Sequence, residues 1–534
     1  MMPRSLLKDA RWAERGGRDS VKIALTTFGI LALELALIRW TSAQVRVFAY
    51  FNNIVLIAAF LGMGLGVALG RQRPGLVHLV LPALLLLAVP LAFSEGLALV
   101  HLPFPDQSIA LWGGEISRAS PLVFAQSLII FLLLLGGIVA VFACAGAPLG
   151  YLFGRLEPLR AYTADLTGSL LGIAAFALAA WLEAGPGVWL ALGAAPFVWL
   201  SGRAGTLVLG LLVVALGQYS EQGALFSPYN RIVLTQVSPQ FLELQVNRDY
   251  HQNLHDLSNA RLSKPTLADG RWLYLVQLRN LYDLPFTVNP RRGTALVVGA
   301  GTGNDVQAAL RHGYAKVTGV DIDGRIIALG AAHHPEQPYA DPRVIPVTDD
   351  ARAFFQKNTG QKFDVVCYGL LDSHAMASAM STLRLDNYVY TEEGIRAAWE
   401  RVAPGGHLSL AMCVYSGQWF FERLFWTVTK ATGHEPVALS SPINGGTVTF
   451  LVPRDGVTLD ETVLARHPRV FPERTMRQTL TPSDDWPFLY IRPGVFPWGY
   501  LLVLGFILLL AGSLCRSPSG CAGNRRRGPT GPCS

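Results

Sequence analysis

Charged residues are scarce in this chain: they make up 15% of its 534 residues, whereas hydrophobic residues make up 51%. A soluble protein usually carries about 25% charged residues. The deficit lies before about residue 220, while residues 225–495 have the mixture of an ordinary globular domain that can bury its own core. The composition therefore excludes a wholly soluble protein and indicates a membrane part followed by a soluble part.

Cysteine is also rare in the sequence. The six cysteines are scattered and none has metal-ligand spacing, so the sequence predicts neither a disulfide framework nor a zinc site. His251 and His255 are four residues apart, as metal ligands on a helix are, but no third ligand follows nearby. We therefore expect no bound metal.

The net charge of +7 comes largely from basic residues at the two ends of the chain. Such flanks orient helices in a bilayer more often than they bind nucleic acid. A basic patch with interleaved aromatic residues is lacking. We therefore expect no nucleic acid among the partners.

Long apolar runs are the most conspicuous feature that the sequence does have. They cover residues 23–43, 51–70, 77–95, 121–150, 162–182, 186–201, 204–219 and 497–515. A spanning helix needs about 20 mostly apolar residues. The runs at 186–201 and 204–219 are shorter, so they form either two helices or one. The pattern predicts a multi-pass membrane protein in contact with membrane lipids.

Two side-chain patterns stand out within these runs. Ionisable residues, which are costly in lipid, occur at Glu34, Arg39 and Asp165. They form a structural ion pair or bind a substrate or lipid head group, and the sequence leaves both open. Small residues four apart on one helical face occur at Gly62, Gly66 and Gly70. This spacing predicts a close contact between two helices.

The soluble part alternates strands and helices, which is typical of a parallel sheet covered on both faces. Strands are predicted at residues 295–298, 316–320, 344–347, 363–368, 407–412, 435–439 and 447–452. Helices are predicted at residues 305–312, 324–333, 351–358, 392–402 and 419–431. Ahead of this pattern, residues 229–252 alternate in the manner of a small β-hairpin module.

The predicted fold class is an α-helical transmembrane bundle plus an α/β Rossmann-like domain with a small N-terminal β-hairpin module. The predicted order is a basic segment (1–21), a transmembrane domain of about seven helices (22–220), the β-hairpin module and connector (225–290), the Rossmann-like domain (291–495), a C-terminal transmembrane helix (497–515) and a basic disordered tail (516–534).

Residues suited to a nucleoside follow three successive predicted strands. The first strand runs into a glycine turn, where the backbone can approach a ligand closely. Asp321, at the tip of the second strand, can accept both ribose hydroxyls. Asp350, after the third, can accept from the adenine amine. The predicted cofactor-binding residues are Gly299, Gly301, Thr302, Gly303, Asp321, Ile322, Asp350 and Ala351.

A dinucleotide-binding fold is the main alternative for this turn. It predicts G-x-G-x-x-G, whereas this sequence has G-x-G-x-G with Asn304 in the last glycine position. No second glycine turn suits a nicotinamide half. The pattern favours a nucleoside of the S-adenosylmethionine (SAM) type over NAD, and it leaves a degenerate, empty fold as a third reading.

Several further segments between residues 227 and 490 carry a family resemblance. They are Ser227-Pro228-Tyr229, Asp249-Tyr250-His251-Gln252, Tyr282-Asp283-Leu284-Pro285, Val320-Asp321-Ile322-Asp323, Asp341-Pro342-Arg343-Val344, Leu371-Asp372-Ser373-His374, Leu385-Asp386-Asn387-Tyr388 and Asp484-Asp485-Trp486-Pro487. With the glycine turn, they resemble the spermidine synthase family of class I SAM-dependent methyltransferase-like folds. The sequence looks most like the bacterial branch in which this domain is fused to membrane helices.

The resemblance implies a role for each matching residue. The three glycines would line the methionine-derived portion of SAM or decarboxylated SAM, Asp321 would hold ribose and Asp350 adenine. Two positions depart from the family, which usually has an aspartate in the glycine turn and another at the end of the fourth strand. Thr302 and Gly369 stand there instead. Both departures put polyamine synthesis in doubt, because a polycationic acceptor needs compensating carboxylates.

The residues after the fourth strand are the candidates for catalysis. Transfer from a sulfonium needs an aligned nucleophile and, for an amine, a proton acceptor. Asp372 and His374 are the predicted bases, although Asp372 and Ser373 could instead cap a loop. The residues predicted to shape the acceptor site are Tyr250, Gln252, Asp349, Asp386 and Tyr390. The aromatic members of this set could equally be core residues.

The function favoured by the sequence is a membrane-bound transferase that moves an aminopropyl, methyl or related group to an amine or lipid-like acceptor. A non-catalytic transporter or sensor that binds a polyamine or nucleoside, and a scaffold, are the alternatives. A second copy of the chain is a further candidate partner. The resemblance places the protein in the bacterial inner membrane.

The charge pattern leaves the side of the soluble domain open. Seven spans with cytoplasmic basic connectors put it outside. Merging the two short runs reverses it but puts the C-terminal arginines outside. SAM-type donors are made in the cytoplasm, which favours the cytoplasmic side.

Overall fold

Two structural parts follow each other along the chain, a bundle of apolar helices up to residue 219 and two β-sheets with their helices from residue 225. The computed structural model describes residues 7–14, 18–50, 52–103, 120–238, 241–263, 272–371, 385–414, 417–443, 446–490, 501, 504–509 and 512. The predicted span at 497–515 lies largely outside these residues, and the tail at 516–534 lies wholly outside them.

The first part consists mainly of α-helices. They cover Arg11–Glu14, Asp19–Gln44, Arg46–Tyr50, Asn52–Gly70, Val80–Ala92, Pro121–Leu152, Pro158–Trp181, Pro186–Ser201 and Ala204–Tyr219, and a 3-10 helix at Pro74–Leu79 leads into the fifth. In the described part of the chain, 5 helical segments are long and apolar enough to cross a membrane by length and composition. The structure thus confirms that most of the predicted apolar runs form helices.

The two short apolar runs form separate helices of 16 residues each. Gly202 adopts a left-handed φ of 57° and ends the first of them, a conformation that glycine takes without strain. A helix of this length extends about 24 Å, which is less than the hydrocarbon thickness of about 30 Å.

The predicted glycine contact is confirmed between the helices Asn52–Gly70 and Pro121–Leu152. A Cβ atom added at Gly66 would lie 2.3 Å from the carbonyl oxygen of Ala143. At Gly62 and Gly70 the same test gives 2.4 and 2.1 Å to other carbonyl oxygens of the partner helix. Any side chain at these positions would push the helices apart.

Arg39, an ionisable residue of the bundle, reaches the start of the second part. Its Nη2 donates to the carbonyl oxygen of Ser227 at 2.5 Å, and its guanidinium lies 4.5 Å from the ring centroid of Trp189. The side chain therefore joins the helix Asp19–Gln44 to the first turn of the β-sheet part.

The small sheet has four antiparallel strands rather than the two of the predicted hairpin. They are β1 (Leu225–Phe226), β2 (Arg231–Ser238), β3 (Phe241–Val246) and β4 (Asp249–Leu254), in this order across the sheet. Asn247 and Arg248 both have positive φ, 53° and 65°, which is the geometry of a tight hairpin turn. Tyr250 and Gln252, two of the predicted acceptor-site residues, therefore lie on β4.

The large sheet has seven strands in the order β10-β11-β9-β8-β5-β6-β7. They are β5 (Thr294–Val298), β6 (Lys316–Asp321), β7 (Val344–Thr348), β8 (Phe363–Leu370), β9 (Val402–Cys413), β10 (Val437–Ser441) and β11 (Thr447–Pro453). Strands β5 to β9 pair in parallel, and β10 and β11 are antiparallel. This topology confirms the predicted Rossmann-like α/β domain.

Helices alternate with these strands as the sequence predicts. They cover Asn304–Arg311, Gly324–His333, Ala351–Lys357, Glu392–Trp399 and Gln418–Thr432, after a connector helix at Trp272–Thr287; short helices are at Asn259–Leu262 and Glu461–Leu464, and 3-10 helices at Pro338–Ala340, Leu385–Tyr390 and Met476–Gln478. Apolar strand residues such as Val298 and Val366 are completely buried between the helical layers, as in other parallel sheets.

The strand order reverses between β5 and β8. From β5 the chain proceeds through β6 to β7 on one side, and β8 and β9 lie on the other. Val298, the last residue of β5, pairs with Tyr368 near the end of β8. Ligands of open α/β sheets bind outside the carboxyl ends of the strands at such a reversal, so the turn after β5 and the end of β8 mark the expected site.

Candidate active site

The glycine turn leaves β5 in a conformation that only glycine adopts readily. Gly299, Gly301 and Gly303 have φ values of 69°, 53° and 106°, all in the left-handed region. The Tyr339 hydroxyl donates to the carbonyl oxygen of Gly301 at 2.7 Å and holds the turn from outside. Thr302, between two of the glycines, is completely buried.

Asp321 ends β6 and binds the glycine turn directly. Its Oδ2 accepts from the backbone N–H of Gly301 and its Oδ1 from that of Asp323, both at 2.8 Å. Burial raises the pKa of Asp321 to about 6. Each carboxylate oxygen has a second lone pair, so the pair of oxygens can still accept two ribose hydroxyls. Ile322 follows at the strand tip.

Asp350 caps the helix Ala351–Lys357. Its Oδ1 accepts from the backbone N–H of Ala353 at 2.9 Å, and its other oxygen is available for the adenine amine. Asp349, its neighbour at the end of β7, pairs with Lys357 at 2.8 Å. Lys357 thereby balances the charge of Asp349, a predicted acceptor-site residue.

A cavity of about 40 Å³ lies beside the glycine turn. Its walls come from β4, the connector helix, the glycine turn and the ends of β8 and β9. It is lined by Tyr250, His251, Gln252, His255, Tyr274, Leu278, Tyr282, Gly299, Ala300, Asn304, Asp305, Leu370 and Cys413. The structure thus brings the predicted residues Tyr250 and Gln252 together with the turn. Gln252 Nε2 donates to Oγ1 of Thr302 at 2.5 Å.

Asn304, which stands where a dinucleotide fold would have glycine, is the centre of a buried hydrogen-bond network. Its Nδ2 donates to the carbonyl oxygen of Asn253 at 2.8 Å, and its Oδ1 accepts from the backbone N–H of His255 at 3.2 Å. His334 Nε2 lies 3.1 Å from the same oxygen. The network joins β4 to the helix after the glycine turn, a role that the sequence did not reveal.

The buried histidines of this network are neutral near pH 7. Burial lowers the pKa of His255 to about 3 and that of His334 to about 4. His251 lies on β4, so the helical spacing considered for a metal pair does not apply to it. Within the described ranges, no group of three or more His, Cys, Asp or Glu residues could hold a metal ion.

Asp305 is a carboxylate of the cavity wall that the sequence interpretation missed. It lies in the first turn of the helix Asn304–Arg311 and lines the cavity. Burial raises its pKa to about 7. An acidic residue in a first helical turn is ordinary, so only its position in the fold distinguishes it.

The remaining predicted residues are not part of the described cavity wall. Asp372 and His374 lie outside the described residues, and Asp386 is on the 3-10 helix Leu385–Tyr390. Tyr390 is buried in the core, with its ring centroid 6.2 Å from that of Tyr368. The catalytic and acceptor roles of these residues stay predictions.

The strand order, the glycine turn and the carboxylates at the strand tips define a Rossmann-like domain of the class I SAM-dependent methyltransferase type. Within it, residues 276–408 match the model of the spermine/spermidine synthase domain. This chain is therefore spermidine synthase-like, and the resemblance inferred from the sequence is confirmed.

Curated relatives agree with this assignment over part of their length. Polyamine aminopropyltransferase 2 of Caldanaerobacter subterraneus is 34% identical over 102 residues, which is 19% of this chain and 34% of the relative. Polyamine aminopropyltransferase of Korarchaeum cryptofilum is 30% identical over 154 residues, which is 28% of this chain and 44% of the relative. The chain thus spans less than half the length of these relatives.

Solved structures give weaker similarity. Spermidine synthase from Thermotoga maritima is 14% identical with a TM-score of 0.33, over 52% of this chain and 84% of that chain. A probable spermidine synthase from Corynebacterium glutamicum is 17% identical with a TM-score of 0.31, over 42% of this chain and 77% of that chain.

Proposed function

We propose that this chain is a membrane-attached transferase that moves an aminopropyl group from decarboxylated SAM to an amine acceptor. The observation that carries the proposal is the contact between Asp321 and the glycine turn beside a polar cavity at the strand reversal. A nucleoside bound at Asp321 would lie along the glycine turn, with the substituents of its sulfur atom directed toward that cavity. The matching domain model and the named relatives favour aminopropyl over methyl transfer.

The residues at the strand tips fit such a donor. Asp321 would accept the ribose hydroxyls and Asp350 the adenine amine, and the backbone of the left-handed glycines would approach the methionine-derived portion closely. The donor supplies a sulfonium, which is a good leaving group that needs no covalent help. The protein therefore contributes binding, alignment of the acceptor and a place for its proton.

The cavity would take the acceptor amine. Tyr250 and Tyr282 provide aromatic walls and Gln252 a polar contact at its edge. Its volume of about 40 Å³ exceeds the roughly 10–15 Å³ that a cavity needs to hold one water molecule, so it has room for one amine end of a chain-like molecule. The rest of the acceptor, an amine or a lipid-like molecule, would extend outside.

The helical bundle would span the bacterial inner membrane and place the α/β domain on the cytoplasmic side, where the donor is made. The apolar helices support the membrane crossing by length and composition, and the cytoplasmic supply of the donor is what favours that side for the α/β domain. Attachment would bring the domain close to a membrane-delivered acceptor.

Purified full-length protein in detergent tests the proposed reaction. Decarboxylated SAM and 1,4-diaminobutane should yield 5′-methylthioadenosine and an aminopropylated amine, both measured by mass spectrometry. SAM in place of its decarboxylated form should yield at most a small fraction of this product. Tight binding of both compounds without any product would contradict the proposal and favour the non-catalytic transporter or sensor.

A further inference from the structure

The end of β8 lacks a side chain at Gly369, where the family resemblance leads one to expect a carboxylate. The space above this glycine is nonetheless filled. A Cβ atom added at Gly369 would lie 2.4 Å from Oδ2, 2.8 Å from Cγ and 3.0 Å from Oδ1 of Asp305. The carboxylate of Asp305 therefore occupies the volume into which a side chain at 369 would project.

Asp305 reaches this place from a different element. It belongs to the helix Asn304–Arg311, which follows the glycine turn, while Gly369 belongs to β8. Strands β5 and β8 are hydrogen-bonded neighbours, so the helix start after β5 lies over the end of β8. The carboxylate of Asp305 on this helix thus fills the space that the absent side chain of Gly369 leaves on β8.

A backbone hydrogen bond at its own residue favours the charged form of Asp305, but the described surroundings provide no cationic partner. In the part of the chain that the structure describes, no lysine, arginine or histidine forms an ion pair with it. Besides burial, the charge of Asp305 contributes to the raised pKa values of Tyr282, Tyr339 and Cys367. None of these three groups is cationic. Asp305 also lines the cavity beside Tyr250 and Tyr282.

We propose that Asp305 is the carboxylate that binds the acceptor amine and takes its proton, from the position that Gly369 leaves vacant. This inference rests on the proposed aminopropyl transfer. The raised pKa of Asp305, about 7, supports it, because a base of this pKa accepts a proton efficiently near neutral pH.

The step balances in atoms and electrons. The amine nitrogen attacks the methylene carbon next to the sulfonium sulfur and forms the new C–N bond. The C–S bond breaks, and its electron pair stays on sulfur, which leaves as the neutral thioether of 5′-methylthioadenosine. The amine loses one proton to the Asp305 carboxylate, which later releases it to water.

Paired substitutions at the two positions test the inference in the full-length protein. Asp305→Asn should lower kcat by about 100-fold or more, the usual effect of losing a positioned base, while 5′-methylthioadenosine binding stays within about threefold of wild type. Asp305→Ala combined with Gly369→Asp places a carboxylate back into the same volume, and it should recover at least about tenfold of the activity lost in Asp305→Ala.

Two further variants and the pH profile complete the test. Gly369→Asp alone should lose activity, since its side chain collides with Asp305. Asp460→Asn, which also removes a carboxylate at a helix start but one that is not part of the cavity wall, should behave as wild type. The wild-type rate should fall below about pH 7, and this limb should be absent in Asp305→Asn.

The outcomes separate the two proposals. If the wild type catalyses transfer and the Asp305→Asn variant is equally active, the role of Asp305 is overturned and the proposed function stays intact. Failure of the Ala–Asp double variant to exceed Asp305→Ala, with nucleoside binding preserved, would also overturn it. Absence of transfer in the wild type would remove the proposed function and this inference together.

Discussion

In the proposed function, nucleoside recognition depends most on Asp321. Its oxygens are oriented by two backbone N–H groups before any ligand binds. Asp321→Ala should remove two charge-assisted hydrogen bonds to ribose, a loss of about 3 kcal/mol. This corresponds to a Kd for 5′-methylthioadenosine about 100-fold higher, measured by titration calorimetry.

A control at a carboxylate outside the proposed nucleoside site separates this loss of affinity from a general loss of folding. Asp341→Asn removes an acid that pairs with Arg343 at 2.7 Å, and its affinity for the nucleoside should equal that of wild type. Wild-type affinity in Asp321→Ala, with an unchanged Tm in both variants, would exclude Asp321 as the ribose ligand.

Nucleoside binding should also depend on pH through Asp321. Its pKa is raised to about 6 by burial, and only the charged form accepts from both ribose hydroxyls. Affinity should therefore be constant above about pH 7 and fall by up to tenfold per pH unit below about pH 6. The decrease should be smaller in Asp321→Asn, and a flat wild-type profile down to pH 5 would contradict this expectation.

At the residue scale, the sequence predicted the groups that follow strand ends. Asp321 and Asp350 were assigned because a strand and a glycine turn locate them on one sheet edge. Asp305 was missed because its meaning depends on the absence of a side chain at Gly369. Asp305 and Gly369 come close together only because β5 pairs with β8, so no local sequence pattern predicts their contact.

At the scale of elements, the parallel strands were predicted to within a few residues because they are largely apolar runs between clear turns. Strand β4, with the sequence DYHQNL, was not predicted as a separate strand, because residues 229–252 were taken together as one hairpin module. It is polar at most positions, and its strand conformation depends on pairing with β3 and on the turn at Asn247 and Arg248. Tertiary context outweighs intrinsic preference in such a segment.

The contact between the helices Asn52–Gly70 and Pro121–Leu152 offers a prediction at this scale. Gly66→Val should separate the helices, because even a Cβ atom at residue 66 would lie 2.3 Å from a carbonyl oxygen. We expect a loss of about 1–3 kcal/mol in stability, seen as a lower Tm of the protein in detergent.

Gly64 provides a matched control on the same helix. A Cβ atom there meets nothing within 4 Å, so Gly64→Val should leave Tm nearly unchanged. Equal effects of the two substitutions would show that the valine, and not the helix contact, causes the loss.

At the scale of the whole molecule, Arg39 connects the helical bundle to the proposed nucleoside site. It donates to the carbonyl oxygen of Ser227, and the Ser227 hydroxyl donates to Oδ2 of Asp323 at 2.6 Å. The sequence suggested an ion pair or a ligand contact for Arg39. A partner 188 residues away in the chain cannot be inferred from local pattern.

Arg39→Ala should loosen this connection. Amide hydrogens around Ser227 and Asn230 should exchange faster, and nucleoside affinity should fall about fivefold, which corresponds to about 1 kcal/mol. Hydrogen exchange with mass spectrometry measures the first effect. Arg160 forms an exposed ion pair with Glu157, so Arg160→Ala should change neither the exchange rates nor the nucleoside affinity. Unaltered hydrogen exchange in Arg39→Ala would contradict the coupling.

The central claim is that the tips of neighbouring strands form one nucleoside site that opens toward the cavity with Asp305. A structure of the full-length protein with 5′-methylthioadenosine, determined by cryo-electron microscopy, tests it most directly. We predict ribose hydroxyls within hydrogen-bond distance of Asp321, adenine beside Asp350 and the sulfur directed toward Asp305. A nucleoside bound elsewhere, or with its sulfur turned away from the cavity, would contradict the account.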